Sequence, residues 1–134
     1  MQIKAIDKLA WIEIKDNSIL STKTYGRDTY YIPGGKRENG ETDEQALYRE
    51  IKEELSIDLK NDTIKFIGVF QAQAHGHPTG TIVKMTCYMA DFTGQLRASS
   101  EIEEIKWLNY SDKDKISDVD KLIFDYLKEK ELLE

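Results

Sequence analysis

Cysteine, proline and long apolar runs are all scarce in this chain, and each shortage excludes something. A single cysteine, Cys87, among 134 residues rules out an internal disulfide. It lies in the apolar stretch Ile82–Met89, where it reads as core filling rather than a reactive thiol, and a lone thiol suits a reducing cytoplasm. Two prolines and eight glycines, in a chain that is 40% hydrophobic, do not make a low-complexity disordered segment. No run approaches the roughly 18 apolar residues that cross a bilayer, and Met1–Asp7 lacks the apolar core of a secretion signal. The expectation is a cytoplasmic protein with no membrane partner. Positive charge is short as well: 19 Lys and Arg face 25 Asp and Glu, a net charge of −6. Binding a nucleic-acid polymer needs a basic stripe, and none is visible. An acidic protein still holds a phosphate compound when a metal ion brings the positive charge.

What is present is an ordinary globular balance, 40% hydrophobic and 33% charged. No repeat and no Pro/Gly/Ser-rich linker divides the chain, so one domain over 1–134 is expected. Isoleucine-rich residues 3–14 read as a strand ending near the turn pair Asp16-Asn17, followed by a second strand over 18–25. Tyr30-Tyr31-Ile32 reads as a third, stopped by Pro33-Gly34-Gly35. Thr42 and Gln45 have the spacing of a capping box, and Leu47, Ile51 and Leu55 recur every fourth residue, which predicts a helix to about Leu55. Residues 64–74 and 81–93 read as long strands joined by the loop 75–80, and 103–109 as one more. Ser117 with Asp120 starts a last helix over 118–131. Its apolar face is Val119, Leu122, Ile123, Tyr126 and Leu127, which packs on the sheet or makes a homodimer contact. Trp11 and Trp107 are assigned to the core. Strands, helix, strands, helix make an α/β domain of the layered α+β kind, and the absence of a β-α-β-α repeat argues against a doubly wound parallel sheet.

The chemistry concentrates on the first helix. At 100° per residue Leu47, Ile51 and Leu55 form one stripe, while Glu50, Glu53 and Glu54 fall within about 100° of one another on the stripe beside it. Like-charge pairs at i,i+3 and i,i+4 each cost a few tenths of a kcal/mol or so. Anions near a helix C-terminus also oppose the macrodipole. Stability alone does not select this arrangement. A divalent cation reverses its sign, and hard oxygen ligands suit Mg²⁺ or Mn²⁺. The plain alternative is a solvated charged face, since Arg49 and Lys52 are interleaved.

The surroundings of that helix resemble the Nudix hydrolase box, G-x5-E-x7-R-E-U-x-E-E-x-G-U with U a bulky aliphatic. Gly35, Glu41, Arg49, Glu50, Ile51, Glu53, Glu54, Leu55 and Ile57 hold the expected classes of residue, apart from Leu55 at an unconstrained place, and only the final glycine differs, as Ser56. The matched Gly, Glu and Arg positions together arise by chance roughly once in 10⁷ start points. Tyr30-x-Ile32-Pro33-Gly34-Gly35 before the box and the Glu101–Leu108 segment after it are similar to flanking segments common in the family.

The resemblance implies a mixed β-sheet sandwiched between helices, and hydrolysis of a pyrophosphate bond in a small nucleotide-like substrate. It implies that Glu50, Glu53 and Glu54 hold the metal, with the Gly35 carbonyl as a further ligand. Arg49 then orients Glu53 or touches substrate, and Glu41 braces the loop or Arg49. A carboxylate takes a proton from the attacking water. Glu53 is one choice of base and Glu101 the other, with Glu103 and Glu104 competing for the second role. Arg27, Lys36, His75 and His77 are candidate substrate contacts, each with an ordinary surface role as the alternative. Tyr30, Tyr31 and Phe70 offer faces for stacking a base, core packing being the expectation for at least two of them. Ser56 stands where a glycine suits a left-handed helix end, which questions the cap and not the ligands. Within the family, nucleoside triphosphates compete with ADP-ribose or nucleotide sugars as substrate. A non-catalytic nucleotide-binding module is the alternative outside catalysis, and retention of all three glutamates argues against it.

Overall fold

The computed structural model describes residues 4–134. Its elements run β1 (Lys4–Trp11), β2 (Ile14–Lys15), β3 (Ser18–Thr24), β4 (Tyr30–Tyr31), β5 (Gly34–Lys36), α1 (Asp43–Leu55) and β6 (Asp58–Leu59). They continue with β7 (Lys65–Gln73), β8 (Thr81–Met89), β9 (Phe92–Thr93), β10 (Ile102–Leu108) and α2 (Asp118–Glu129). Short 3-10 turns occupy Asn61–Thr63 and Tyr110–Lys115. One sheet has the order β5-β1-β8-β7; β1 and β8 are parallel and the other pairs antiparallel. A second sheet runs β10-β3-β2, with β4 also on β3. β6 and β9 pair separately.

The centre is β1. Its alternating side chains feed two buried clusters, because successive residues of a strand point to opposite faces. Leu9 and Trp11 join Ala46, Leu47, Ile51 and Leu55 of α1. Ala10 joins Ile123, Phe124 and Leu127 of α2. The first sheet therefore lies between the two helices, as expected for a mixed sheet sandwiched by helices. Among the described residues, no helix is long and apolar enough to cross a membrane.

Several boundaries differ from expectation. The strand predicted over 3–14 ends at Trp11 and resumes as β2; Ile3 lies outside the described residues. Asp16 and Asn17 both take positive φ, 52° and 59°, the hairpin conformation a turn pair of that type favours. The strand expected at Tyr30-Tyr31-Ile32 is β4 and does end before Pro33, but Gly34 and Gly35 then open a further strand, β5, against β1, which was not expected. The strand predicted over 81–93 breaks at Ala90 and Asp91. The Ala90 carbonyl accepts from the Trp11 indole at 3.1 Å, and the Asp91 N–H donates to the Thr63 hydroxyl at 2.9 Å. On α2, Leu122 is 43% exposed while Phe124 is fully buried, so the packed face is rotated from the one predicted. Trp11 is core, but Trp107 is only half-buried beside it.

Candidate active site

Two features fix α1 against the sheet. At its start the capping box forms in full: Gln45 N–H donates to Thr42 Oγ1 at 3.2 Å and Thr42 N–H to Gln45 Oε1 at 2.9 Å. At its end Ser56 adopts φ 60°, ψ 31°, and its N–H reaches the Lys52 carbonyl at 3.1 Å. The left-handed conformation expected at the position of the missing glycine is thus present, with serine in it.

Between these ends the helix meets β5, and glycine makes the approach close. A Cβ on Gly34, at φ +146°, would lie 1.9 Å from the Leu9 carbonyl oxygen. A Cβ on Gly35 would lie 2.3 Å from Glu50 Oε2. The Gly34 N–H donates to Glu54 Oε1 at 3.1 Å.

The three helix glutamates occupy different environments. Glu54 is 6% exposed, and burial pushes its carboxyl up to about 8, with Glu50 and Glu101 adding to the rise. Glu50 is raised as well, chiefly by burial. Glu53 is largely exposed and only approaches Arg49, at 3.5 Å. The predicted convergence of all three is therefore incomplete: among the described residues no three acidic, histidine or cysteine side chains already stand together at metal-holding distance. Each carboxylate has its own restraint, and close approach of like charges costs energy in a partly buried site.

Arg49 organises this wall. Its guanidinium donates to both Glu41 oxygens, at 2.7 and 2.9 Å, to Glu50 Oε1 at 2.7 Å and to the Lys36 carbonyl at 3.1 Å. Glu41 also accepts from Glu38 N–H at 2.8 Å. The Arg49 bonds, and then that N–H, hold its carboxyl down at about 2. Arg49 is thereby tied to Glu50 and to the β5 backbone more closely than to Glu53, the partner expected from i,i+4 spacing.

A cavity of ≈ 440 Å³ opens beside this wall. Gly35, Glu50, Glu54 and Glu101 line it, and so do Arg27, Lys36, His75 and His77, so residues distant in sequence meet there. Glu53 and Arg49 are not in its lining. Of the acidic run after residue 100, Glu101 alone faces the cavity. Glu103 pairs with Lys23 at 3.5 Å, and Glu104 accepts from the Tyr30 hydroxyl. Glu101 is held on both sides: its carboxylate accepts from Ser100 Oγ at 2.6 Å and its carbonyl from Tyr25 N–H at 3.0 Å. His75 Nε2 lies 3.4 Å from Thr29 Oγ1, and its ring sits edge-on to Tyr31. Tyr31 lines the cavity, whereas Tyr30 is buried and Phe70 packs on Tyr126.

Two contributors escaped sequence reasoning. The loop carrying Glu101 is stitched to the end of α1, with Arg97 N–H on the Leu55 carbonyl, Ser99 N–H on the Glu54 carbonyl, both at 2.9 Å, and Ser56 Oγ 2.6 Å from Ser99 Oγ. No local pattern announces such contacts. Lys8 also lines the cavity. Its signal was available, as a lysine alternating with Ile6 and Ala10 in a strand.

A NUDIX domain model matches residues 9–126. This chain belongs to the Nudix family. A relative from Methanocaldococcus jannaschii, an ADP-ribose pyrophosphatase, is 31% identical over 118 residues, covering 85% of this chain and 68% of that protein. A shorter match, 56% identical over 33 residues, covers 25% of this chain and 30% of an 8-oxo-dGTP diphosphatase from Proteus vulgaris. The solution structure of the Escherichia coli ORF135 protein superposes with TM-score 0.73 at 25% identity, over 94% of this chain and 92% of that one. The Nudix box accordingly maps onto β5, the following loop and α1, and the chain is a Nudix pyrophosphohydrolase.

Proposed function

We propose that this Nudix enzyme hydrolyses a nucleoside triphosphate, with Mg²⁺ or Mn²⁺ as cofactor. The supporting observation is the sorting of charge in one cavity: Glu50, Glu54 and Glu101 share its lining with Arg27, Lys36, His75 and His77. The donor set fits a hard divalent ion. It consists of oxygens, Glu54 is an almost fully buried carboxylate that needs a positive neighbour to ionise, and Gly35 leaves the room a Cβ would fill against Glu50. Glu50, Glu53, Glu54 and the Gly35 carbonyl are the residues to hold it. When bound, the ion neutralises charge on the diphosphate and acidifies water.

The chain's own groups supply the rest. Arg49 and Glu41 keep Glu50 at the β5 backbone. Glu101, pinned by Ser100 and Tyr25, accepts the proton of the attacking water, in preference to the outward-lying Glu53. Arg27, Lys36, His75 and His77 bind phosphate oxygens or the sugar. A small nucleotide in the cytoplasm is the partner this implies.

A second reading rests on the Methanocaldococcus relative: a nucleoside diphosphate-X such as ADP-ribose. A substrate panel with product identification separates the two. Under the first reading triphosphates give monophosphate and pyrophosphate. Glu101→Gln is expected to lower kcat by about 100-fold or more. Turnover confined to ADP-ribose would replace the first reading by the second, and a null panel in which Glu54→Gln behaves as the native protein would remove both.

A further inference from the structure

Among the described residues, Lys8 is the one charged residue of the cavity lining whose chemistry the reaction leaves unused. It stands on β1 beside Met85 of β8, two residues from the Ile6–Val83 pair, and all four side chains line the cavity. Its ammonium lies 6.0 Å from the centre of the Tyr31 ring. Among the described residues it makes no hydrogen bond and no ion pair, although Asp120 is the strongest of the acidic charges that act on it. Burial works against its charged form. A half-buried lysine beside Ile6, Val83 and Met85, without a hydrogen-bond acceptor of its own, is costly unless a ligand supplies one.

The surroundings say which part of a nucleotide that is. Phosphate oxygens belong beside the carboxylates that hold the cation and the more open Arg27, Lys36, His75 and His77. Lys8 faces Lys36 across the β1–β5 pair and feels the Glu54 and Glu50 charges, but its other neighbours, Ile6, Val83, Met85 and the Tyr31 ring, are apolar or aromatic, which suits the faces of a planar ring. We propose that Lys8 reads the exocyclic group of the substrate base and selects a carbonyl, at position 6 of a purine or position 4 of a pyrimidine, over an amine. A carbonyl accepts from Lys8; an amine brings a donor against a donor. Guanine-type and uracil-type nucleotides are then favoured over those of adenine and cytosine.

The inference rests on the nucleotide reading, so two measurements keep them apart. Binding of GMP, UMP, AMP and CMP is measured by calorimetry in EDTA, and turnover of the four triphosphates is measured with Mg²⁺. The native protein is expected to favour the oxo bases in both. Lys8→Met, apolar among Ile6, Val83 and Met85, is expected to weaken GMP and UMP binding about 10- to 100-fold, and AMP and CMP about 3-fold at most. Lys8→Gln, whose amide both donates and accepts, is expected to bind all four with little discrimination and serves if the Met variant fails to fold. Equal losses on all four bases would place Lys8 on the phosphates, and unchanged binding would make it a bystander; either overturns the proposal. Absence of triphosphate turnover with oxo-selective monophosphate binding intact would overturn the reaction and leave Lys8 as base reader.

Discussion

Gly34 and Gly35 are neighbours with different tasks, and alanine separates them. At Gly34 the added carbon meets the Leu9 backbone at 1.9 Å, and backbone cannot swing aside. Gly34→Ala is expected to destabilise the fold by several kcal/mol, on the order of 3 or more, read by chemical denaturation. At Gly35 the obstacle is the Glu50 carboxylate, the mobile end of a side chain. Gly35→Ala is expected to melt near the native temperature while losing divalent-ion affinity in a titration. If it binds the ion normally, the carboxylate does not need that space. Asp120 offers a pH test. It is fully buried, and burial raises its carboxyl from 3.8 to about 7, while the Ile32 N–H donates to it at 3.0 Å. An acid with a raised folded pKa favours the folded state below its unfolded pKa, and that contribution fades as pH climbs to the folded value. Asp120→Asn keeps an acceptor and loses the titration. Its melting temperature relative to the native protein is therefore expected to rise from about pH 4 to about pH 7 and level off above. A difference that stays flat over that window would contradict the assignment.

At the scale of elements, α1 shows how a helix end becomes part of a site. Serine in the left-handed conformation costs about 1 kcal/mol against glycine, and the Ser56–Ser99 hydrogen bond returns roughly as much. Ser56→Gly is expected to leave stability within about 1 kcal/mol of native. It also frees the loop that carries Glu101, so kcat should drop several-fold with KM unchanged. In a Glu101→Gln background the same change should cost nothing further; an equal loss there would show that the loop acts by another route. The box residues, the capping box and the apolar stripe of α1 were legible in sequence, because each depends on spacing along one helix. Glu101 was legible only as one of a group. The choice among Glu101, Glu103 and Glu104 depends on Lys23 and Tyr30, which arrive from other strands. The identity of β5 was hidden for a similar reason: Pro-Gly-Gly reads locally as the break that it is after β4, and only the proximity of β1 makes Gly34–Lys36 a strand.

For the molecule as a whole, the ion and the fold should be coupled. A carboxylate buried to the extent of Glu54 weakens the ion-free protein at neutral pH, where its raised pKa makes ionisation costly. Glu54→Gln should melt above the native protein in EDTA. Saturating Mg²⁺ should stabilise the native chain, by about 2.7 kcal/mol at 100 times its dissociation constant, and leave the variant unmoved. Parallel responses of the two proteins to Mg²⁺ would show that Glu54 is no ligand. By itself the sequence determined the family, the metal-ligand candidates on α1 and the layered α/β character, since these follow from residue type and short-range period. Tertiary structure alone decided which charges share a cavity with the box, which way α2 turns and where Lys8 faces. Those depend on β1 running between two helices and beside β8, a pairing across some seventy-seven residues of chain that no local pattern encodes.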